Sequence, residues 1–477
     1  MSAQGEHGAR GPTGPAAAWT MAAVLAVAAA ARVPFLADSL WYDEIAAFLS
    51  YGVQGPAHAL TTYFSLANHV LQSAVTAASA QALGADELSL RLPSLLAGLG
   101  AVGATWWFAR VAVGGAVAPW AAAAMALMPV AVLPSTEARG YAMVTLFAAV
   151  AHGAFVAARR DGAWRMWALW AVACALGTWT HLVTACVPAF HAGWIAWDAM
   201  RAEGADARRR SRMGLVATAC AAGLAAIALA PVIPGILRLR TEFAAADGDE
   251  PTLLGREGAM MLCSLGGSWW TWSALAAAPL AAIGAWRARR DRALRVALAA
   301  SLGPSLVALA FPLFLNSWLY ARFIAFTVPG VALLIAAGAQ AEWSRSRARG
   351  TVLVAAACAG WIACLATLGP RQPLREAVGF VATRMQPGER AVAVGLPDDV
   401  HAWYAVAAGI EMPGCGPYAR ELQERIADRR VRWAMVLYPR ALAGPLASLE
   451  GTGWTIEKRF PGWIDGGDGE IAVLRRR

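Results

Sequence analysis

Apolar segments of about twenty residues recur along most of the chain, and they constrain its fold more than any other feature. They occupy 17–36, 92–109, 117–136, 141–158, 165–181, 182–199, 214–236, 259–285, 294–315, 323–341 and 351–369. Charged residues make up only 15% of the sequence, compared with about 25% in soluble proteins. Since a helix crosses a bilayer in roughly 17–25 mostly apolar residues, the sequence predicts a mainly α, polytopic transmembrane helical bundle of about 11 spans.

Short arginine clusters between the apolar segments predict the orientation of the bundle. The clusters are Arg159-Arg160, Arg208–Arg212, Arg287–Arg292 and Arg345–Arg349. Loops rich in arginine and lysine stay in the cytoplasm, which places the N-terminus inside, 37–91 in a first extracytoplasmic loop with interfacial helices, and everything after 370 outside. The net charge of +9 is thus accounted for by topology, and no basic domain is left to bind nucleic acid.

Composition divides the chain into three parts. Residues 1–18 are rich in Gly, Ala and Pro and are predicted to be disordered. Residues 19–370 contain nearly all of the apolar sequence, from the first segment onwards, and form the predicted transmembrane domain. Residues 371–477 alternate amphipathic stretches with short apolar runs such as "VRWAMVLYP", which predicts a small extracytoplasmic α/β domain. The seven cysteines show no CxxC and no Cys/His metal spacing.

The predicted topology collects charged and imidazole groups at one membrane surface: Asp43, Glu44, His69, Arg91, Glu137, Arg139, His181, Arg256, Glu257 and Arg322. A carboxylate can take a proton from an attacking hydroxyl, and an arginine can hold a phosphate bidentately. Together they suit transfer of a group from a lipid phosphate to an acceptor hydroxyl. No glycine-rich phosphate loop or dinucleotide-binding motif is present, in keeping with a donor that is not a nucleotide.

Each of these residues also has a structural interpretation. Arg91 and Arg322 can be snorkelling anchors at helix ends, and His181 can be a structural histidine in a tight turn. Asp43 can cap the helix that follows it. Two other kinds of protein also remain open: a transporter or flippase of lipid-linked sugars, and a non-catalytic scaffold that displays residues 371–477. Long spans without ionisable residues at mid-depth disfavour the transporter, and a scaffold leaves the charged cluster unexplained.

Six motifs in a fixed order resemble those of one enzyme family. They are "SLWYDEIAAF", "NHVLQSAVTAASAQALGADELSLRLPSLLAGL", "PVAVLPSTEARGYAM", "THLVTA", "LYARFIAFTVPGVALL" and "RQPLREAVGFVATRMQPGERAVAV". The chain resembles the integral-membrane glycosyltransferases of the C type (GT-C). Within them it is most similar to glycosyltransferase family 39, the dolichyl-phosphate-mannose–protein mannosyltransferase-like group, which is related to the aminoarabinose lipid A transferases.

The resemblance implies roles for individual residues. The acidic residue of the family's first loop is catalytic, which corresponds to Asp43, with Glu44 as its companion. The arginine of the family's Arg-Leu-Pro-Ser helix start lies near the donor phosphate, which corresponds to Arg91. The turn after the family's fifth span often carries a basic or imidazole group, here His181.

We further expect Arg139 and Arg322 to bind the donor phosphate with the first-loop arginine, and His69 to line the substrate site. The family's His-Pro-Pro-Leu is Asn68–Leu71 here, and the proline expected after its Ala-Arg is Gly140. These departures leave open both the acceptor and the use of a divalent metal ion as cofactor. The sequence thus predicts an inverting glycosyltransferase of a bacterial inner membrane. Its donor would be a polyprenyl-phosphate-linked sugar, and its acceptor a protein, glycolipid or cell-envelope glycan.

Overall fold

The computed structural model describes residues 14–65, 68–245, 271–315, 321–395, 398–415, 419–440, 442–464 and 469–477. Its membrane part is built from helices α1 Pro15–Leu36, α2 Tyr42–Ala47, α3 Pro56–Thr61, α4 Val70–Leu83, α5 Glu87–Ala112, α6 Ala118–Leu127, α7 Pro129–Val132, α8 Tyr141–Asp161, α9 Trp164–Thr180, α10 Cys186–Met200, α11 Ala205–Leu229, α12 Ile233–Ala245, α13 Thr271–Ala288, α14 Arg292–Leu302, α15 Pro304–Leu315, α16 Val328–Arg345 and α17 Arg347–Thr367. Helix α1 begins at Pro15, so the end of the predicted N-terminal tail is helical, and residues 1–13 lie outside the described residues.

Seven helices in the described residues are long and apolar enough to cross a membrane, or eight if the bent pair α6–α7 counts as one span. The predicted spans 165–181 and 182–199 correspond to α9 and α10, which at 17 and 15 residues are shorter. Part of the predicted span 259–285 lies outside the described residues. The chain is a multi-pass membrane protein with a mainly helical fold, as its sequence predicts.

The sharp bend between α6 and α7, which measures 77°, is stabilised by a buried arginine of α1. A bend inside a membrane leaves backbone carbonyls without their helical partners. Arg32, which is fully buried, donates to the carbonyl oxygens of Met125, Ala126 and Ala131 at 3.3, 3.0 and 3.2 Å. Arg32 therefore has a structural role, and the bend directs the segment 133–140 towards the first loop.

The first loop is helical over most of its length. Helix α4 has only 14 residues, and its buried face includes polar side chains such as Gln72, which donates to Ser94 Oγ of α5 at 3.0 Å. A face of this kind packs on protein rather than lipid, which agrees with α4 being part of the loop and not a further span.

The C-terminal part contains a five-stranded sheet with strand order β2-β1-β3-β5-β4. Its strands are β1 Arg390–Val394, β2 Gly414–Cys415, β3 Val431–Leu437, β4 Trp454–Phe460 and β5 Ile471–Arg476, and its helices are α18 Leu374–Ala382, α19 Asp398–Ala407, α20 Ala419–Ile426 and α21 Ala443–Glu450. Strand β1 pairs in parallel with β2 and β3, while β5 is antiparallel to β3 and β4. This is the small α/β unit that the sequence predicts.

Side chains and backbone of the C-terminal part hold the start of the first loop. Leu40 N donates to Tyr404 Oη at 2.7 Å, and Tyr42 N donates to Gln372 Oε1 at 2.9 Å. Tyr42 directly precedes the acidic pair at 43–44, and Leu40 lies three residues before Asp43. The position of that pair therefore depends on contacts with the C-terminal part as well as with the bundle.

Candidate active site

Glu44 and Arg91 form a fully protein-bound ion pair. Glu44 is 0% exposed and Arg91 is 3% exposed. Arg91 Nε donates to Glu44 Oε1 at 2.9 Å and Arg91 Nη2 to Glu44 Oε2 at 2.7 Å. The other Arg91 donors reach backbone carbonyls of 35–39, and Glu44 also accepts from Ala138 N and Trp41 N. The pair joins α1, α2, α5 and the segment before α8.

This arrangement favours a different role for Arg91 from the phosphate contact that the sequence predicts. Both Nη atoms and Nε of its guanidinium already donate to protein oxygens. Glu44 is likewise enclosed, and its carboxylate receives the backbone N–H of Trp41 at the start of α2. We therefore assign the stabilising contact at this helix start to Glu44, not to Asp43, and a structural role to the pair.

Asp43 points in another direction and lies between two arginines. Its Oδ2 is 3.3 Å from Arg322 Nη2 and 3.8 Å from Arg139 Nη2. Its side chain is 19% exposed, whereas the neighbouring carboxylate of Glu44 is completely enclosed. Asp43 is therefore the accessible member of the acidic pair, with two cationic groups beside it.

Two aromatic residues and a third arginine lie close to Asp43 and its two arginines. Arg322 lies over the rings of Trp41 and Tyr141 at 5.6 and 5.9 Å. Arg371 also lies over the Trp41 ring, 4.7 Å from its centroid, and forms an ion pair with Glu137. Arg371 is not among the site residues that the sequence predicts, although it opens the last of the six motifs. Its place at the start of that motif is not a specific indication of a site residue, because a single arginine at the start of a domain can have many structural roles.

The two predicted histidines lie side by side next to Arg139. The ring centroids of His69 and His181 are 4.6 Å apart. Burial, followed by the charge of Arg139, lowers the pKa of His69 well below its usual range, and the same causes lower the pKa of His181 to about 3. Both rings are therefore neutral near pH 7.

Hydrogen bonds define the tautomer of His69. Its Nδ1 accepts from Gly140 N at 2.8 Å, and a neutral imidazole has only one acceptor nitrogen, so its Nε2 carries the proton. That Nε2 lies 3.3 Å from Arg139 Nη2, which brings two N–H groups together. An anion beside them can accept from both.

The structure therefore brings together Asp43, His69, Arg139, His181 and Arg322, and places Glu44 and Arg91 behind them as a buried pair. Arg256 and Glu257 lie outside the described residues.

The described residues contain no group of three or more His, Cys, Asp or Glu side chains that could hold a metal ion. The nearest charged neighbours of Asp43 are the cationic Arg139 and Arg322, and these do not suit a divalent cation. We derive no catalytic step through a metal.

No protein-family model and no curated protein sequence matches the chain. Solved structures do. ArnT from Cupriavidus metallidurans in the apo state is similar over 96% of this chain and 97% of its own, with a TM-score of 0.56 and 14% identity. ArnT bound to undecaprenyl phosphate has the same coverage and TM-score at 13% identity.

The chain has the GT-C fold. A third similar structure, the apo oligosaccharyltransferase of Archaeoglobus fulgidus, agrees: it matches 88% of this chain and 70% of its own with a TM-score of 0.50 and 12% identity. The sequence-based prediction of a GT-C fold is confirmed, with helices and the C-terminal sheet both included in the match to ArnT.

Proposed function

We propose that this protein is an inverting glycosyltransferase that moves a sugar from a polyprenyl-phosphate donor to a hydroxyl at the extracytoplasmic surface of a bacterial inner membrane. The observation that carries the proposal is the accessible Asp43 carboxylate, 3.3 Å from one arginine and 3.8 Å from another. A base and two phosphate-binding groups at one end of a helix bundle are what such a transfer needs. The acceptor is a protein, glycolipid or cell-envelope glycan.

Asp43 acts as general base in this mechanism. It takes the proton of the acceptor hydroxyl while the oxygen attacks the anomeric carbon of the sugar from the face opposite the phosphate. The bond between the anomeric carbon and the phosphate oxygen breaks, and the polyprenyl phosphate leaves with the electron pair. One displacement inverts the configuration at the anomeric carbon.

Arg139 and Arg322 stabilise the leaving phosphate. Charge builds up on that group as the bond breaks, and pre-positioned guanidinium groups stabilise it more than they stabilise the bound donor. The Nε2 proton of His69 adds a neutral donor beside Arg139. Arg91 and Glu44 act indirectly, by holding the helix start that carries Asp43.

A lipid donor is supported by the fold comparison and by composition. ArnT, with the same fold, has been crystallised with undecaprenyl phosphate. The site also lies where the N-terminal end of α8, the turn after α9 and the start of the first loop meet, at one end of the membrane-spanning helices. A polyprenyl phosphate presents its head at that depth.

The test is Asp43→Asn in the full-length protein, with Asp86→Asn as matched control. Both aspartates lie at the start of a helix: Asp43 is the second residue of α2, and Asp86 caps α5, where it accepts from Ser89 N. Asparagine caps a helix equally well. We expect Asp43→Asn to lower sugar transfer by about 10²–10⁴-fold, with normal folding. Radiolabelled polyprenyl-phosphate sugar is the donor, and label in the membrane acceptor fraction is measured.

The outcome separates the alternatives. Near wild-type transfer by Asp43→Asn contradicts a general base at this position. Movement of the labelled lipid across vesicle membranes, with no label reaching an acceptor, supports the transporter instead.

A further inference from the structure

A cavity lined by charged side chains lies at the opposite end of the bundle from Asp43. Helix α8 begins at Tyr141, beside the candidate active site, and carries Arg159 near its other end. Its 21 residues correspond to about 30 Å at 1.5 Å per residue, roughly the thickness of the hydrocarbon core. The cavity has a volume of about 260 Å³ and lies between the ends of α8, α9, α10 and α11. It is therefore at the other membrane surface.

Three arginines dominate its lining. Arg159, Arg201 and Arg210 face it together with one acidic residue, Asp198, which leaves a net charge of +2. Asp198 is bound by Arg159, whose Nη2 lies 2.6 Å from Oδ2. Within the described part of the chain, no carboxylate pairs with Arg201 or Arg210. We call this cavity the arginine pocket.

The aliphatic part of the Arg210 side chain packs against the end of α8. It passes over Gly162, which ends α8 in the left-handed region at φ 67°, and an ideal Cβ there would be 3.1 Å from Arg210 Cγ. Arg201 is held differently, with its guanidinium 4.1 Å from the Trp197 ring centroid. Both side chains are thus directed by neighbouring groups rather than by an ion pair.

The surroundings of the arginine pocket are those of a membrane interface. Trp164 and Trp197 are 65% and 50% exposed, and tryptophan concentrates at the headgroup level of a bilayer. The outer face of α11 exposes Leu215 and Val216 next to the pocket-lining Ser211. A ligand with a charged head in the pocket can therefore lay apolar chains along α11.

We propose that the arginine pocket binds the phosphate headgroup of an anionic membrane lipid. Basic pockets between transmembrane helices recognise such headgroups through charge and hydrogen bonds. Arg201 and Arg210 hold the phosphate, Arg159 remains paired with Asp198, and the acyl chains follow the exposed side of α11. This site is independent of the candidate active site and of the reaction assigned to it.

Native mass spectrometry of the full-length protein in detergent, titrated with cardiolipin, tests the proposal. Each of Arg201→Gln and Arg210→Ala is expected to weaken cardiolipin binding about fivefold. Arg289→Ala is the matched control, because Arg289 also stacks on a tryptophan, 4.8 Å from the Trp286 centroid, but does not line the pocket. We expect it to bind cardiolipin as the wild type does.

Three results would overturn the proposal. One is unchanged cardiolipin binding by Arg201→Gln, a surface change that does not threaten folding. Another is an equal loss of binding in Arg289→Ala, which would show only general attraction to a basic surface. The third comes from thermal unfolding of the wild type in the presence of either cardiolipin or inorganic phosphate. If inorganic phosphate raises the Tm as much as cardiolipin does, the pocket binds a soluble phosphate and not a lipid.

Discussion

Replacing Glu44 by glutamine tests whether the acidic pair is divided into a structural and a catalytic member. The Glu44 carboxylate accepts four hydrogen bonds: two from Arg91, at 2.9 and 2.7 Å, one from Ala138 N at 2.6 Å and one from Trp41 N at 3.2 Å. A glutamine amide has one oxygen, so its NH₂ group must face two of these donors in either orientation. Arg91 would also remain buried with no charge partner, which costs about 3–5 kcal/mol.

We expect Glu44→Gln to lower the free energy of unfolding by roughly that amount, about 3–5 kcal/mol, and to lower the apparent Tm by several degrees. Tryptophan fluorescence during heating of the detergent-solubilised protein measures this. Glu376→Gln is the control, because its side chain is 39% exposed and its pairing with Arg375 is worth only about 0–1 kcal/mol. A Glu44→Gln protein with wild-type Tm but strongly reduced sugar transfer would refute the structural role and make Glu44 catalytic.

Three further changes probe the same region. In Gly140→Ala the new Cβ would lie 2.7 Å from His69 Nδ1, so we expect the free energy of unfolding to fall by about 1–3 kcal/mol. The control is Gly103→Ala, in open space on α5, which should raise it by up to about 1 kcal/mol. Equal Tm values for the two variants would contradict this. Gln372→Ala removes the hydrogen bond that the Tyr42 N–H donates to the Gln372 side chain, so it should cost about 0.5–1.5 kcal/mol and slow transfer. Unchanged kinetics would show that this contact with the C-terminal part does not position the loop. Because the pKa of His181 is lowered from 6.5 to about 3, the unfolded chain binds its proton first as pH falls. The stability that His181 contributes is therefore complete above pH 6.5 and is lost towards pH 3, and the decrease in Tm over that window should be shallower in His181→Gln.

The length of the apolar segments and the positions of the arginine clusters between them were sufficient to predict the membrane bundle. The predicted spans at 92–109, 141–158 and 351–369 coincide with α5, α8 and α17, since a run of about twenty apolar residues has few stable alternatives to a helix in lipid. The order of short motifs was likewise enough to predict the GT-C fold. These features are local in the sequence, and each depends on residues within one or two helices.

Which charged residues form buried pairs and which face the site could not be predicted from local sequence. Asp43 and Glu44 are adjacent in the sequence and chemically alike, yet successive residues of a helix project about 100° apart. One carboxylate is therefore enclosed with Arg91, and the other faces Arg139 and Arg322. Which of them meets which arginine depends on how α2 packs between α5 and the segment before α8.

Contacts between distant parts of the chain were equally hidden. Arg371 reaches Glu137 across 234 positions of sequence, and Gln372 reaches the backbone of Tyr42 across 330. The sequence by itself determined that helices cross a membrane and that acidic, basic and imidazole groups gather at one end, because apolar length and charge are properties of single residues and short segments. Only the tertiary structure decided which of those groups are satisfied by protein partners and which remain accessible. Satisfaction of a buried charge depends on the few ångströms that separate it from its partner, and that distance is set by the packing of the whole bundle.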